Sequence, residues 1–187
     1  VDVGGGLGIN YQTGSSVPVN IIAQEIEKRG LNRRRIIFEP GRFIIAKSGY
    51  LVFKIIGKKI KGKKVYYITD GGANLFLRKA WFGINHRVSW ISNTRKSLQG
   101  YPAFTSIIAG PNMDNKDIVA EAEIPELSVG DLIILCEVGA YGSVRMSNYG
   151  CNPFCAEYLV DRNKVIRIRK AQTYEEFRKA YCFEQIR

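Results

Sequence analysis

The sequence predicts a two-part chain: an α/β opening, then an antiparallel β domain of barrel or sandwich form closed by a short helix. Three observations predict it. Residues 1–45 run strand, Gly-rich turn, helix, strand, Gly-rich turn. From about Gly49 the chain breaks into short β-rich runs separated by Gly, Pro, Asn and Asp. The final "TYEEFRKAYCFEQI" carries a helix-start signature. The division falls at 1–47 for the α/β part and 48–187 for the β domain.

Each element follows from local chemistry. Val1-Asp2-Val3 reads as a strand running into Gly4, Gly5, Gly6 and Gly8. "SSVPVNIIAQEIEKRGLN" reads as a helix, with Ser16 as N-cap, Pro18 in the first turn and Gly30 ending it. Ile21, Ile22, Ile26 and Leu31 give that helix an apolar stripe. "RRIIFEPGR" is the next strand and a second turn. Two such units cannot close a barrel, since eight need roughly 250 residues. The chain is therefore expected to be the C-terminal part of a larger, enzyme-like protein. "GKKIKGKKV" predicts a hairpin with its turn at Lys61-Gly62, its lysines blunting the strand edges. "SLQGYPAFTSIIAGP", "IVAEAEIPELSVGDLIILCEVGAY" and "AEYLVDRNKVIRIRK" supply further strands. Thr173 caps the closing helix, with Glu176 in the capping-box position.

The composition narrows the function classes. The net charge is +11, yet apart from Arg33–Arg35 and the lysine hairpin the basic residues are scattered, which does not support a nucleic-acid face. No apolar run reaches the ~18–20 residues of a membrane helix. Cys151 and Cys155 form C-x3-C, but His86 is the only histidine, so the roughly four ligands of a zinc site are not assembled. Unpaired cysteines (136, 151, 155, 182) in a chain showing no secretion signal point to a reducing, cytoplasmic setting.

Glycines directly after a strand let backbone N–H groups approach an anion, the chemical need of a phosphate cradle. "GGGLG" fits that need, although no Gly-Lys-Ser/Thr follows it and the Rossmann spacing is poorly met. At the end of the next strand Glu39, Pro40, Gly41 and Arg42 put a carboxylate and a guanidinium on one rim. That pair suits a cofactor carrying both a basic nitrogen and a phosphate.

The order "GGGLG", "EPGR", "GP-x-x-D-x-x-D" and "GDL…GAY", with "SNYG…AEYLVD" and "TYEEFRKA" in the tail, resembles the fold-type III pyridoxal-phosphate decarboxylases along essentially the whole chain. These are the diaminopimelate, ornithine and arginine decarboxylases. The resemblance implies the last units of an alanine-racemase-like (β/α)8 barrel followed by the family's β domain. It implies pyridoxal 5'-phosphate as cofactor, an amino-acid substrate and a homodimer with shared sites. Gly4, Gly5 and Gly6 would receive the phosphate and Glu39 would face the pyridine nitrogen. Arg42 and Tyr141 would contact cofactor and substrate. Arg78, in "NLFLRKAWF", would bind the substrate's far end, with Phe82 where the family often has a tyrosine. The lysine that holds the cofactor and the histidine that stacks on its ring would lie in earlier strands, so these residues alone would not catalyse.

One departure bears on chemistry. In "GPNMDNKD", Met113 stands where the family has a cysteine that reaches the partner's site and assists protonation, and a thioether cannot donate a proton. Asp114 would pair with a distal ammonium. "SNYGCNPFCAE" also lacks the arginines that often follow in the family. Two readings stay open. In one, the protein is a decarboxylase acting on diaminopimelate, a diamine-forming amino acid or an amino acid of a specialised pathway, with the proton coming from Tyr141, Cys151 or water. In the other, it is an impaired relative that regulates an active paralogue.

Overall fold

The computed structural model describes residues 1–93 and 100–181. Near the N-terminus, residues 1–4 and 36–39 lie side by side in parallel. Ile37 N–H donates to Val1 O (2.9 Å), Val3 N–H to Ile37 O (3.0 Å) and Glu39 N–H to Gly4 O (2.9 Å). The crossover between them carries α1 (Val19–Lys28). The helix starts later than Ser16 predicts, because Ser16 is engaged in an extended bridge with Ile9 and Pro18 occupies the cap. None of α1 is fully buried: Ile21 is 51% exposed while Ile22 and Ile26 are half-buried, so the described residues cover the predicted apolar stripe only in part. After residue 39 comes α2 (Gly41–Ile45).

The β domain begins with β1 (Leu51–Lys61) and β2 (Lys64–Thr69). Lys61 pairs with Lys64, so the hairpin loop is Gly62-Lys63, one residue later than the sequence predicts. Then follow α3 (Arg78–Phe82), β3 (Val88–Ile91), β4 (Ala103–Ala109), β5 (Ile118–Pro125) and β6 (Leu132–Leu135). The six strands form one sheet in the order β3-β6-β1-β2-β4-β5, curled into a nearly closed barrel. The sheet is mixed rather than purely antiparallel, because β2 and β4 pair in parallel. The reason is topological: after β2 the chain crosses to the far edge to lay β3 beside β6, then returns to the other side of β2.

The strands alternate as one-sided sheets should. Phe53 and Ile55 of β1, Val65 and Tyr67 of β2, and Ile133 and Leu135 of β6 point into one core that also holds Ile108, Val119, Ile124 and Leu127. Tyr67 is fully buried, and its hydroxyl accepts a hydrogen bond from Leu127 N–H at 2.8 Å, which satisfies the one polar group it brings inside. A second small core of Ile9, Tyr11, Ala46 and Ala140, flanked by Ile84, ties the N-terminal part to the loop after β6.

Beyond the barrel, β7 (Glu157–Asp161) and β8 (Lys164–Arg169) form a separate hairpin, and α4 (Tyr174–Arg178) closes the described chain. The predicted capping box is formed: Glu176 N–H donates to Thr173 Oγ1 at 3.1 Å, and Thr173 N–H donates to Glu176 Oε2 at 2.9 Å. The helical reading of residues 182–187 lies outside the described residues.

Candidate active site

The glycine loop is shaped by its neighbour. Gly4 and Gly6 have φ of +71° and +86°, a left-handed backbone that residues with a Cβ rarely adopt. A Cβ on Gly5 would stand 2.5 Å from Glu39 O. The loop is thus wedged against the start of "EPGR", while the space beside Gly4 and Gly6 is open. The glycine loop and the "EPGR" turn are thus neighbours through Glu39.

The "GAY" loop is clipped to the same rim. Val138 N–H donates to Gly49 O and Gly139 N–H to Ala46 O, each at 3.0 Å. A side chain at Gly139 would run into Ile45 O. This close passage brings Tyr141 toward α2, where the Arg42 guanidinium lies 5.8 Å from its ring centroid. Tyr141 has a φ of +62°. A non-glycine residue held there costs roughly 1–3 kcal/mol, which a functional position can justify.

Arg78 enters from the third side. The segment before α3 is pinned by buried Leu75 and Phe76 and by Asp117, whose carboxylate accepts Ala73 N–H at 2.6 Å. Arg78 is 3% exposed, with its guanidinium 4.7 Å from the Tyr11 ring and 5.1 Å from that of Tyr141. Burial lowers its pKa, and the nearby Arg42 adds to this. Behind Tyr11 stands His86, 1% exposed, its ring 4.1 Å from Tyr11 and 4.8 Å from Phe76. Its Nδ1 lies 2.9 Å from Cys136 O. Burial, reinforced by Arg78 and opposed by the bond to Cys136 O, lowers its pKa to about 4. His86 is therefore a neutral packing residue behind the site.

These residues enclose a cavity of about 210 Å³ lined by Arg42, Arg78, Phe82, Ile84, Tyr141 and Arg145. Four of the six were expected. Arg145 was not: it comes from the short turn Ser143–Arg145, and its guanidinium lies 5.1 Å from the Tyr141 ring and 5.5 Å from Phe82. Tyr11, the platform under Arg78, was missed as well. A wider groove of about 400 Å³ near the β1–β2 hairpin, lined by Ile60, Val65 and Phe104, contains none of the predicted site residues.

Met113 and Asp114 stand apart from this cleft. Their loop is docked on the turn after β6, with Tyr149 Oη donating to Asp114 Oδ2 at 2.6 Å and Asn152 Nδ2 to Asn112 Oδ1 at 2.8 Å. The Tyr149 hydroxyl, helped by Lys116 N–H, lowers the Asp114 pKa. Met113 is fully exposed and Cys151, on the docked turn, is exposed too. The described cysteines are free, and no metal-binding cluster occurs among the described residues.

A family described as "Pyridoxal-dependent decarboxylase, C-terminal sheet domain" matches residues 22–139. The chain belongs to this family. It is 30% identical over 192 residues to the diaminopimelate decarboxylase of Escherichia coli K12, covering 94% of this chain and 46% of that protein. It is 33% identical over 178 residues to the Helicobacter pylori enzyme, covering 94% and 43%. The crystal structure of the H. pylori enzyme complexed with L-lysine superposes with a TM-score of 0.81 at 33% identity, covering 96% of this chain and 43% of that one. The chain thus spans slightly under half the length of these relatives.

The rim formed by "GGGLG" and "EPGR" fits the family's cofactor in part. The space beside Gly4 and Gly6 is open and Arg42 Nε has no partner, and Glu39 is the one carboxylate of the "EPGR" turn. The Gly4 N–H, expected to receive the phosphate, instead donates to Asp2 Oδ1 at 2.8 Å.

Proposed function

We propose that the protein catalyses pyridoxal-phosphate-dependent decarboxylation of an amino acid, with diaminopimelate-like substrates as the class. The observation that carries this is the meeting of Arg42 of "EPGR", Tyr141 of "GAY" and Arg78 around one cleft, with the glycine loop hydrogen-bonded to Glu39 at the start of "EPGR". On this reading residues 1–47 are the closing units of a (β/α)8 barrel and 48–187 the β domain. Supporting it, two parallel segments flank α1 in the first part and the mixed barrel occupies the second. The free cysteines and biosynthetic relatives favour a cytoplasmic setting.

When bound, the cofactor supplies an electron sink for the charge left by departing carbon dioxide. The chain's own residues do the rest. Backbone N–H groups of Gly5 and Gly6, with Arg42, bind the phosphate, while Asp2 Oδ1 holds the Gly4 N–H and fixes the turn. Glu39 holds a proton at the pyridine nitrogen. Tyr141 lines the cofactor and Arg78 orients the substrate's far end, with Phe82 beside it. In a homodimer the Met113–Asp114 loop, exposed and braced by Tyr149, reaches the partner's site, where Asp114 meets a distal ammonium.

Replacing Glu39 with Gln tests the reading. Turnover should fall by ~10²–10³, as when a preorganised electrostatic partner is removed, while the cofactor's visible absorbance persists. Unchanged turnover would refute the role of Glu39. Met113 favours a second reading, a regulatory relative that mixes with an active paralogue. Cofactor binding without turnover on any amino acid, together with an altered rate of the paralogue, would establish it.

A further inference from the structure

Three guanidiniums crowd the ring of Tyr141: Arg78 and Arg145 at 5.1 Å each and Arg42 at 5.8 Å. Among the described residues of the chain no carboxylate lines their cavity and no ion pair uses any of the three. Arg78 is 3% exposed and its Nε has no hydrogen-bond partner. Like charges gathered in a cavity of about 210 Å³ repel one another, and an anion relieves the repulsion. The function proposed above assigns Arg42 to the cofactor phosphate. Arg78 and Arg145 enter from different elements and share the Tyr141 ring. A carboxylate has two oxygens and about four lone-pair sites, enough for two guanidinium forks at once.

We propose that Arg145 is a specificity-determining residue that, together with Arg78, clamps a carboxylate at the far end of the amino-acid substrate. Resting on the decarboxylase reading, this assigns a role to a residue of the turn after "GAY". The clamp favours acid-ended substrates over those ending in an ammonium alone, because the latter leave the Arg78 and Arg145 guanidiniums without a counter-charge. Phe82 and Tyr141 hold the Arg145 guanidinium between two rings, so less of its freedom is lost on binding.

The test uses the intact holoenzyme as wild type, Arg145→Gln and Arg145→Lys, with diaminopimelate and lysine as substrates. Arg145→Gln should raise KM for diaminopimelate by ~10–100-fold, the usual loss for a charge-assisted hydrogen bond, with kcat changed by less than about 3-fold. Its KM for lysine should not rise, and Arg145→Lys should recover part of the loss. Cofactor absorbance and melting temperature should match the wild type. Calorimetry with glutarate, and with cadaverine as its cationic counterpart, reads the clamp without turnover. The wild type should bind glutarate more tightly than cadaverine, and Arg145→Gln should weaken glutarate at least about 10-fold while leaving cadaverine unchanged or tighter. Absence of turnover in the wild type refutes the decarboxylase reading, while glutarate binding still decides the clamp. Failure of the wild type to bind glutarate, or wild-type KM and glutarate affinity in Arg145→Gln, overturns the proposal.

Discussion

Acidification from pH 7 to 4.5 should destabilise the fold through one imidazole. His86 is the only histidine in the chain, and it is buried against Tyr11 and Phe76. Its Nδ1 donates to Cys136 O, its Nε2 has no partner, and Arg78 adds a nearby positive charge. Its pKa is lowered from 6.5 to about 4. Below pH 6.5 the unfolded chain therefore binds a proton that the folded chain refuses until about pH 4. Stability is lost as pH falls through that window, by ~1.4 kcal/mol per unit at most. It is flat above 7 and below 4. The shift of about 2.5 units corresponds to roughly 3 kcal/mol, of which about 2 fall between pH 7 and 4.5. The assay is urea unfolding of wild type and His86→Asn across this range. The Asn amide can keep the bond to Cys136 O but does not titrate. The wild-type curve should lose about 2 kcal/mol more than the variant. Parallel curves from pH 7 to 5 would refute the assignment, whatever the constant offset from lost ring packing.

Two further outcomes follow. Gly139→Ala should lower stability by about 1–3 kcal/mol through overpacking, because the new methyl meets Ile45 O and stands 2.9 Å from Ser48 Oγ; thermal melting checks it, and a loss below ~0.5 kcal/mol would contradict the clip between the two loops. Met113→Cys in the intact enzyme should change product formation by less than about 10-fold if another group already supplies the proton; a gain of ~10²–10⁴ would instead mark a missing general acid and favour the regulatory reading.

Local chemistry was legible where short-range rules decide the outcome. The Thr173 cap, the β1–β2 hairpin and the turns at "GGGLG" and "EPGR" each depend on a few neighbouring residues. The failures have non-local causes. Ser16 satisfies the N-cap preference, yet its bridge to Ile9 takes the backbone away from the helix. The parallel β2–β4 pair is set by where β3 lands, which no periodicity reports. Arg42, Arg78 and Tyr141 could be grouped only by family resemblance, since they lie on three separate elements. Arg145 had no such guide: an arginine four residues after Tyr141 shows no facing direction until the turn at Ser143–Arg145 folds it back.

Asp117 supplies a mechanical link. One of its carboxylate oxygens accepts Ala73 N–H, on the approach to Arg78, and the other accepts Asn112 N–H, beside Met113, at 2.6 and 2.9 Å. With only 2% of the residue exposed, little water competes for those bonds. The segment leading to Arg78 and the loop that carries Met113 are thus moored to one carboxylate. In the proposed dimer, where that loop serves the neighbouring site, a substitution at Asp117 would loosen the moorings of both clefts at once.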